Sequence, residues 1–285
     1  MKITGRTQRP ILIDCDCIQL DTIRAKFSSD GQLGDGDIRS LIKIMLKTDN
    51  ATALCNALWL AAEIARTTPT RFLYFLSRNK LSKIISKANR ESDSTVRMQL
   101  LNVLCRWLNN LTADLHTIRC RLVIYSGAIP LLVNLAFHSQ SPSGNVLATS
   151  AINSPKPVRP SDHLSEITHL YALCTLANLS IMGAAKRELI CLHQIVSLST
   201  RTVLDLRAKV SFRRQATRLL TNLSCNTKLA HFALMSDKTL NVLAQATRDR
   251  DHLVSYYARW TGENLEKNRF VKRRWLNAMQ DDGDK

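Results

Sequence analysis

The sequence is poor in chain breakers and in rings. Nine glycines and seven prolines in 285 residues leave little material for long connections, so the turns are expected to be short. Aromatic residues make up 6% of a chain that is 45% hydrophobic, a balance that suits aliphatic helix packing. No phosphate-cradling glycine loop, no Gly-x-Ser-x-Gly and no His-Glu-x-x-His is present. The seven histidines are scattered, and Cys15 and Cys17 form a Cys-x-Cys without a second ligand pair at zinc spacing. Asp14 and Asp16 suit a turn or solvated segment far better than an acid–base pair. These gaps argue against an enzyme and predict neither cofactor nor metal. The most apolar window, Leu122 to Phe137, is broken by Ser126, Gly127, Pro130 and Asn134, which argues against a membrane span. Met1 to Pro10 is basic and polar, and Ile11 to Ile13 is too short for a signal-peptide core.

What the chain has in excess is positive charge, +17 overall, which favours anionic partners: acidic or phosphorylated peptides, nucleic acid or an anionic membrane surface. The basic residues are spread along the chain, so charge alone selects none of these. Of eight cysteines, Cys55, Cys105, Cys174, Cys191 and Cys225 fall in apolar helical stretches. They are expected to be reduced, buried thiols, and a cytoplasmic or nuclear location follows.

The chain also repeats itself. Thr168 to Ser180 (THLYALCTLANLS) and Phe212 to Ser224 (FRRQATRLLTNLS) carry Leu, Asn, Leu and Ser in one register. Leu173, Leu176 and Leu179 lie three apart, one apolar stripe of a helix. Weaker copies run from Met98 to Thr112 and from Ser255 to Asn268, and Ala53 to Arg66 keeps the stripe with Glu63 where the others have Asn. The shared asparagines are Asn110, Asn178, Asn222 and Asn264, the last three spaced by 44 and 42 positions. A polar Ser/Pro stretch separates Asn110 from Asn178, and setting it aside leaves a comparable period. Helical units of about 40 to 47 residues form armadillo and HEAT arrays. Such a unit cannot bury its own apolar face, so neighbours must stack on it.

Read in order, Ile18 to Phe27 suits a helix, Ser28 to Asp37 a loop, and Ile38 to Leu46 a short amphipathic helix. Thr48, Asp49 and Asn50 offer caps for a helix over Ala51 to Arg66. Pro69 stops the chain and opens a helix over Thr70 to Ser77. Leu81 to Asn89 and Thr95 to Leu111 complete that unit. The next begins with Leu115 to Tyr125, bends at Gly127 and Pro130, and continues over Leu131 to Phe137. Ser139 to Asp162 is rich in Ser and Pro and reads as a disordered insertion, with Ser141-Pro142 and Ser154-Pro155 as candidate kinase sites. Helices are expected over Leu164 to Ser180, Ala184 to His193, Ile195 to Leu206, Ala208 to Ser224, Lys228 to Met235, Thr239 to Thr247 and Leu253 to Glu266. Phe270 to Met279 reads as a capping helix before an acidic tail. The resulting domains are an irregular segment 1–36, a repeat domain 37–268 holding the insertion 139–162, and a C-terminal part 269–285.

The stretch Ser126 to Ala136 (SGAIPLLVNLA) resembles the bend of the armadillo repeat. Ala172 to Ser180 and Ala216 to Ser224 match that family's third-helix pattern Ala-x-x-x-Leu-x-Asn-Leu-Ser. The resemblance covers roughly residues 38 to 268. It implies an all-α, armadillo-type right-handed superhelical solenoid of about five three-helix repeats, whose third helices line one concave surface. On each of these helices the residues four and eight before the shared position lie on its face. The candidate peptide-binding groove is therefore Trp59 and Glu63; Asn102, Arg106 and Asn110; Cys174 and Asn178; Arg214, Arg218 and Asn222; Tyr256, Trp260 and Asn264.

An asparagine amide both donates and accepts, so a ladder of them suits the backbone of an extended peptide. Trp and Tyr offer slots for alkyl stems, and Arg106, Arg214 and Arg218 offer charge-assisted bonds to carboxylate or phosphate. The expected function is a non-catalytic scaffold or adaptor for an acidic or phosphorylated peptide, as in the basic groove of β-catenin. Trp260 with Asn264 also matches the Trp–Asn pairing of importin-α, which would make the chain a transport adaptor for basic peptides. Trp59 with Glu63 matches only half of that pairing, and Arg106 and Arg218 stand where that family has Trp. A nucleic-acid-binding helical-repeat protein is the third alternative. Local roles stay open beside these: asparagine bonded to nearby backbone, Arg106 and Arg218 on a solvated face, Trp59 and Trp260 in the core.

Overall fold

The computed structural model describes residues 15–30, 33–137, 160–225 and 228–281. The expected insertion and its two Ser-Pro sites lie almost wholly outside the described residues. Fifteen α-helices are described, beginning with α1 (Cys15–Asp30), α2 (Asp35–Lys47) and α3 (Ala51–Thr67). A 3-10 helix (Pro69–Tyr74) precedes α4 (Arg78–Asn89) and α5 (Ser94–Thr112). Next come α6 (Thr117–Tyr125), α7 (Ala128–Phe137) and α8 (Pro160–Leu179), then α9 (Gly183–His193), α10 (Ile195–Leu204) and α11 (Val210–Ser224). The last are α12 (Lys228–Leu234), α13 (Asp237–Ala246), α14 (His252–Glu266) and α15 (Arg269–Asp281). No strand occurs among the described residues.

The long helices α3, α5, α8, α11 and α14 stack in that order, each on the next. Each also receives the helix before it, as α2 meets α3 and α7 meets α8. The Leu stripe found in the sequence is the glue of this stack: Leu173, Leu176, Leu179, Leu220 and Leu223 are wholly buried. At roughly 1.5–3 kcal/mol per buried leucine, this seam outweighs any single polar bond in it. One apolar core runs through the described chain, which is what stacked units require.

Local chemistry sets the ends. Asn50 caps α3 by accepting from the Thr52 and Ala53 amides at 2.9 and 3.1 Å. Gly127 adopts φ 78°, a left-handed stop, and α6 and α7 meet there at 84°. Arg119 is wholly buried; its Nε donates to the Leu111 carbonyl at 3.1 Å and it pairs with Asp114, closing the end of α5. Among the described residues no single helix is long and apolar enough to cross a membrane.

Several expectations need correction. The Gly/Asp stretch Ser28 to Asp37 is not all loop: α1 runs to Asp30 and α2 starts at Asp35. Asp37 accepts from the Gly34 amide and from Lys26, both at 3.0 Å, and with Asp35 it sits at the positive end of α2. The helix expected over Thr70 to Ser77 is a six-residue 3-10 turn. There Phe72 is fully buried edge-on against Trp107, ring centres 5.5 Å apart. Leu115 cannot open α6, because it takes φ 58° and ends the preceding turn instead. Helix α8 begins at Pro160, inside the segment expected to be disordered, with the proline at its first position. Cys191 is exposed rather than buried, Cys55, Cys174 and Cys225 are half-buried, and among the described residues only Cys105 and Cys120 are fully inside.

Helix α15 lies against α13 and α14. Its Trp275 ring fits over Gly262, where a β-carbon would lie 2.4 Å from Cζ2. Only a residue without a side chain permits that approach.

Candidate functional site

All thirteen candidate residues stand on the stacked helices α3, α5, α8, α11 and α14. Hydrogen bonds show how they meet. Asn110 donates Nδ2 to the Ala62 carbonyl of α3 at 2.9 Å. Asn222 does the same to the Ala177 carbonyl of α8 at 2.7 Å. Both acceptors stand one position before the shared register, so two units repeat the same bond. Asn178 reaches back to Asn109 Oδ1 and Thr112 Oγ1 at 3.4 and 3.3 Å, and Asn264 to Ser224 Oγ and Cys225 Sγ at 3.0 and 3.3 Å. Every shared asparagine thus ties its helix to the stacked helix before it.

The four amides differ in what remains. The Asn178 oxygen accepts from Arg218 at 2.8 Å, and the Asn264 oxygen accepts from Lys267 at 3.0 Å. Those two side chains are saturated and buried, 4% and 5% exposed. Asn110 and Asn222 are half-buried and each makes one bond, which leaves an N–H and the carbonyl oxygen without a partner among the described residues. A donor and an acceptor on one amide are what a guest backbone needs.

The arginines are mostly engaged across the seams. Arg106 pairs with Glu63, which also accepts from Arg66 at 3.2 Å. Arg214 grips Asp251 with Nε and a terminal nitrogen, at 2.9 and 2.6 Å. That fork holds the Asp251 carboxyl down to about 2, and Asp251 also caps α14 through the Val254 amide at 3.1 Å. Arg218 is different: its bonds go to two neutral amides, Asn178 and Gln215, the latter at 3.2 Å. Its positive charge therefore meets no carboxylate in these bonds. Asn102 donates to Thr168 at 3.1 Å. Burial pushes the Cys174 thiol up to about 11, against the opposing pull of Arg218.

The aromatics do not join this network. Trp59 and Trp260 are each 41% exposed, so neither is core. Arg24 of α1 lies over the Trp59 ring, 5.6 Å from its centre. Trp260 has Tyr256 at 5.9 Å instead. Arg24 and Asp251 went unremarked in the sequence, as did Thr221, whose hydroxyl meets that of Thr261 at 2.9 Å. Asp251 carried a signal, since Asp before His252 to Glu266 is a capping pattern. Among the described residues no cluster of metal ligands forms.

This stacked arrangement is found in solved structures. A designed armadillo repeat protein in complex with the peptide (KR)4 superposes with TM-score 0.64 at 15% identity, over 85% of this chain and 87% of that one. A second designed armadillo repeat protein gives TM-score 0.58 at 14% identity, over 88% and 90% of the two chains. The fold is that of an armadillo-type array. An engineered protein solved by a structural genomics consortium gives TM-score 0.64 at 16% identity, over 85% of each chain. No protein-family model matches the sequence, and no curated protein matches it. The armadillo-type array is thus an all-α solenoid, with the thirteen candidates on its successive third helices.

Proposed function

We propose that the chain is a non-catalytic scaffold that holds an extended peptide along the third helices of its armadillo-type array. The half-open amides of Asn110 and Asn222 carry this reading, since each presents a donor and an acceptor to a guest backbone. The charge preference is acidic or phosphorylated, because Arg218 is held in place by neutral amides and keeps its charge for a guest. Arg106 and Arg214 contribute less than their number suggests, being matched by Glu63 and Asp251. The scaffold works in the cytoplasm or nucleus, which imaging of the tagged protein tests.

Fluorescent peptides of acidic, phosphorylated and basic composition, titrated against the protein, test the preference. The double variant Asn222→Ala with Arg218→Glu is expected to lose the acidic peptide. Binding of only the basic peptide would replace this reading with that of a transport-type adaptor. Two observations favour that second reading: Arg24 already stacks as a cation on Trp59, and the designed neighbour was solved with (KR)4.

A further inference from the structure

Helix α4 carries a feature that the groove does not use. Its apolar residues Leu81, Ile84, Ile85 and Ala88 are all buried, which anchors the helix. The remaining residues include Arg78, Lys80, Lys83 and Lys87, with Arg90 just beyond, and not one carboxylate within the helix. Arg78 and Lys80 stand in the first turn, where the helix dipole disfavours a cation. The helix dipole therefore gives their charge no stabilising role. Lys80 donates to the Phe75 carbonyl at 2.8 Å. Lys87 meets only Asp49, a fully exposed carboxylate at 3.5 Å, a surface pair that exchanges readily with a competing anion. Arg78, Lys83 and Arg90 pair with no carboxylate among the described residues.

Lys83, Lys87 and Arg90 line a depression of about 490 Å³ together with the hydroxyls of Ser82 and Ser86. Glu91 also lines it, and its carboxylate accepts from the Ser92 hydroxyl and the Asp93 amide, at 3.3 and 3.2 Å. Three cations and the serine hydroxyls against one carboxylate give the depression an excess of donors, which fits a ligand that only accepts. A rise of about 1.5 Å per residue sets the three cations about 6 and about 4.5 Å apart along the axis, a linear stripe rather than a point site. No apolar residue of α4 is left exposed to enter a lipid boundary. Tyr74, four residues before the helix, is 83% exposed, and a free ring of this kind can stack an unpaired base.

We propose that the outer face of α4 binds the phosphate backbone of a single-stranded nucleic acid, independently of the peptide groove. Contacts to Lys83, Lys87 and Arg90 would release about three counterions, so affinity falls about 20-fold between about 50 and 200 mM salt. The test is anisotropy of a labelled mixed-sequence RNA oligonucleotide against the full chain across that salt range. The triple variant Lys83→Gln, Lys87→Gln, Arg90→Gln is expected to bind weakly and to lose almost all of this salt dependence. The groove variant Asn222→Ala with Arg218→Glu is expected to bind RNA as the wild type does. No binding at low salt, an unchanged salt response in the triple variant, loss of RNA binding in the groove variant, or capture by phosphatidylserine vesicles with RNA left unbound would each overturn the proposal.

Discussion

Asn178 and Asn222 occupy the same position in successive units, yet they are not the same component. Asn178 is buried and makes three bonds, to Asn109, Thr112 and Arg218. Asn222 is half-buried and makes one, to Ala177. Asn264 follows the first pattern and Asn110 the second. The repeat therefore alternates between a closed amide that locks two units and an open amide that locks them while still facing outward. The difference arises from neighbours: Arg218 and Lys267 supply the extra donor at the closed positions.

The comparison breaks most sharply at Asn178. Asn178→Ala removes three bonds from a buried seam, one of them charge-assisted, costing about 3 kcal/mol even though Thr112 keeps the Leu108 carbonyl and Arg218 keeps Gln215. Thermal melting should show a fall of several degrees. Asn264→Ala removes a similar set, but Lys267 is exposed and rehydrates, so about 2 kcal/mol is expected. In Asn222→Ala and Asn110→Ala about 1 kcal/mol is lost, one neutral bond each. Peptide affinity should nonetheless fall in both. Equal losses of stability across all four variants, read by urea unfolding, would erase the distinction between open and closed amides.

Two smaller effects sharpen it. The Arg214–Asp251 fork is a charged counterpart of the closed amides. Because the folded Asp251 carboxyl is held down to about 2, its contribution is fully present above the ordinary carboxylate range and drains away as pH falls from about 4 towards 2. The melting temperatures of wild type and Asp251→Asn should accordingly differ at neutral pH and converge near pH 2. Thiol alkylation supplies the mildest probe. Exposed Cys191 should react first, while Cys105, pushed up to about 12 by burial, and Cys174, up to about 11, should react last. Early labelling of Cys174 would show that the seam around Asn178 opens.

The Leu stripe and its period made the stacking legible in the sequence, because a period of 3.6 residues is local and a unit repeat is visible without coordinates. Asn178 and Asn222 were legible as residues of one face. Their unlike environments were not, since the partners of Asn178 sit 66 and 69 residues away and nothing local distinguishes it from Asn222. Arg106 and Arg214 read as cations for a guest for the same reason. Glu63 and Asp251, which neutralise them, lie 43 and 37 residues off. The 3-10 turn at Pro69 escaped because a proline opens either kind of helix.

Gly262 stands where Leu108, Leu176 and Leu220 stand on α5, α8 and α11. The volume that a leucine supplies elsewhere is supplied there by an indole from another helix, Trp275. The joint between α14 and α15 is consequently a lock with one key. Transplanted onto α5, α8 or α11, α15 would find the keyhole already filled.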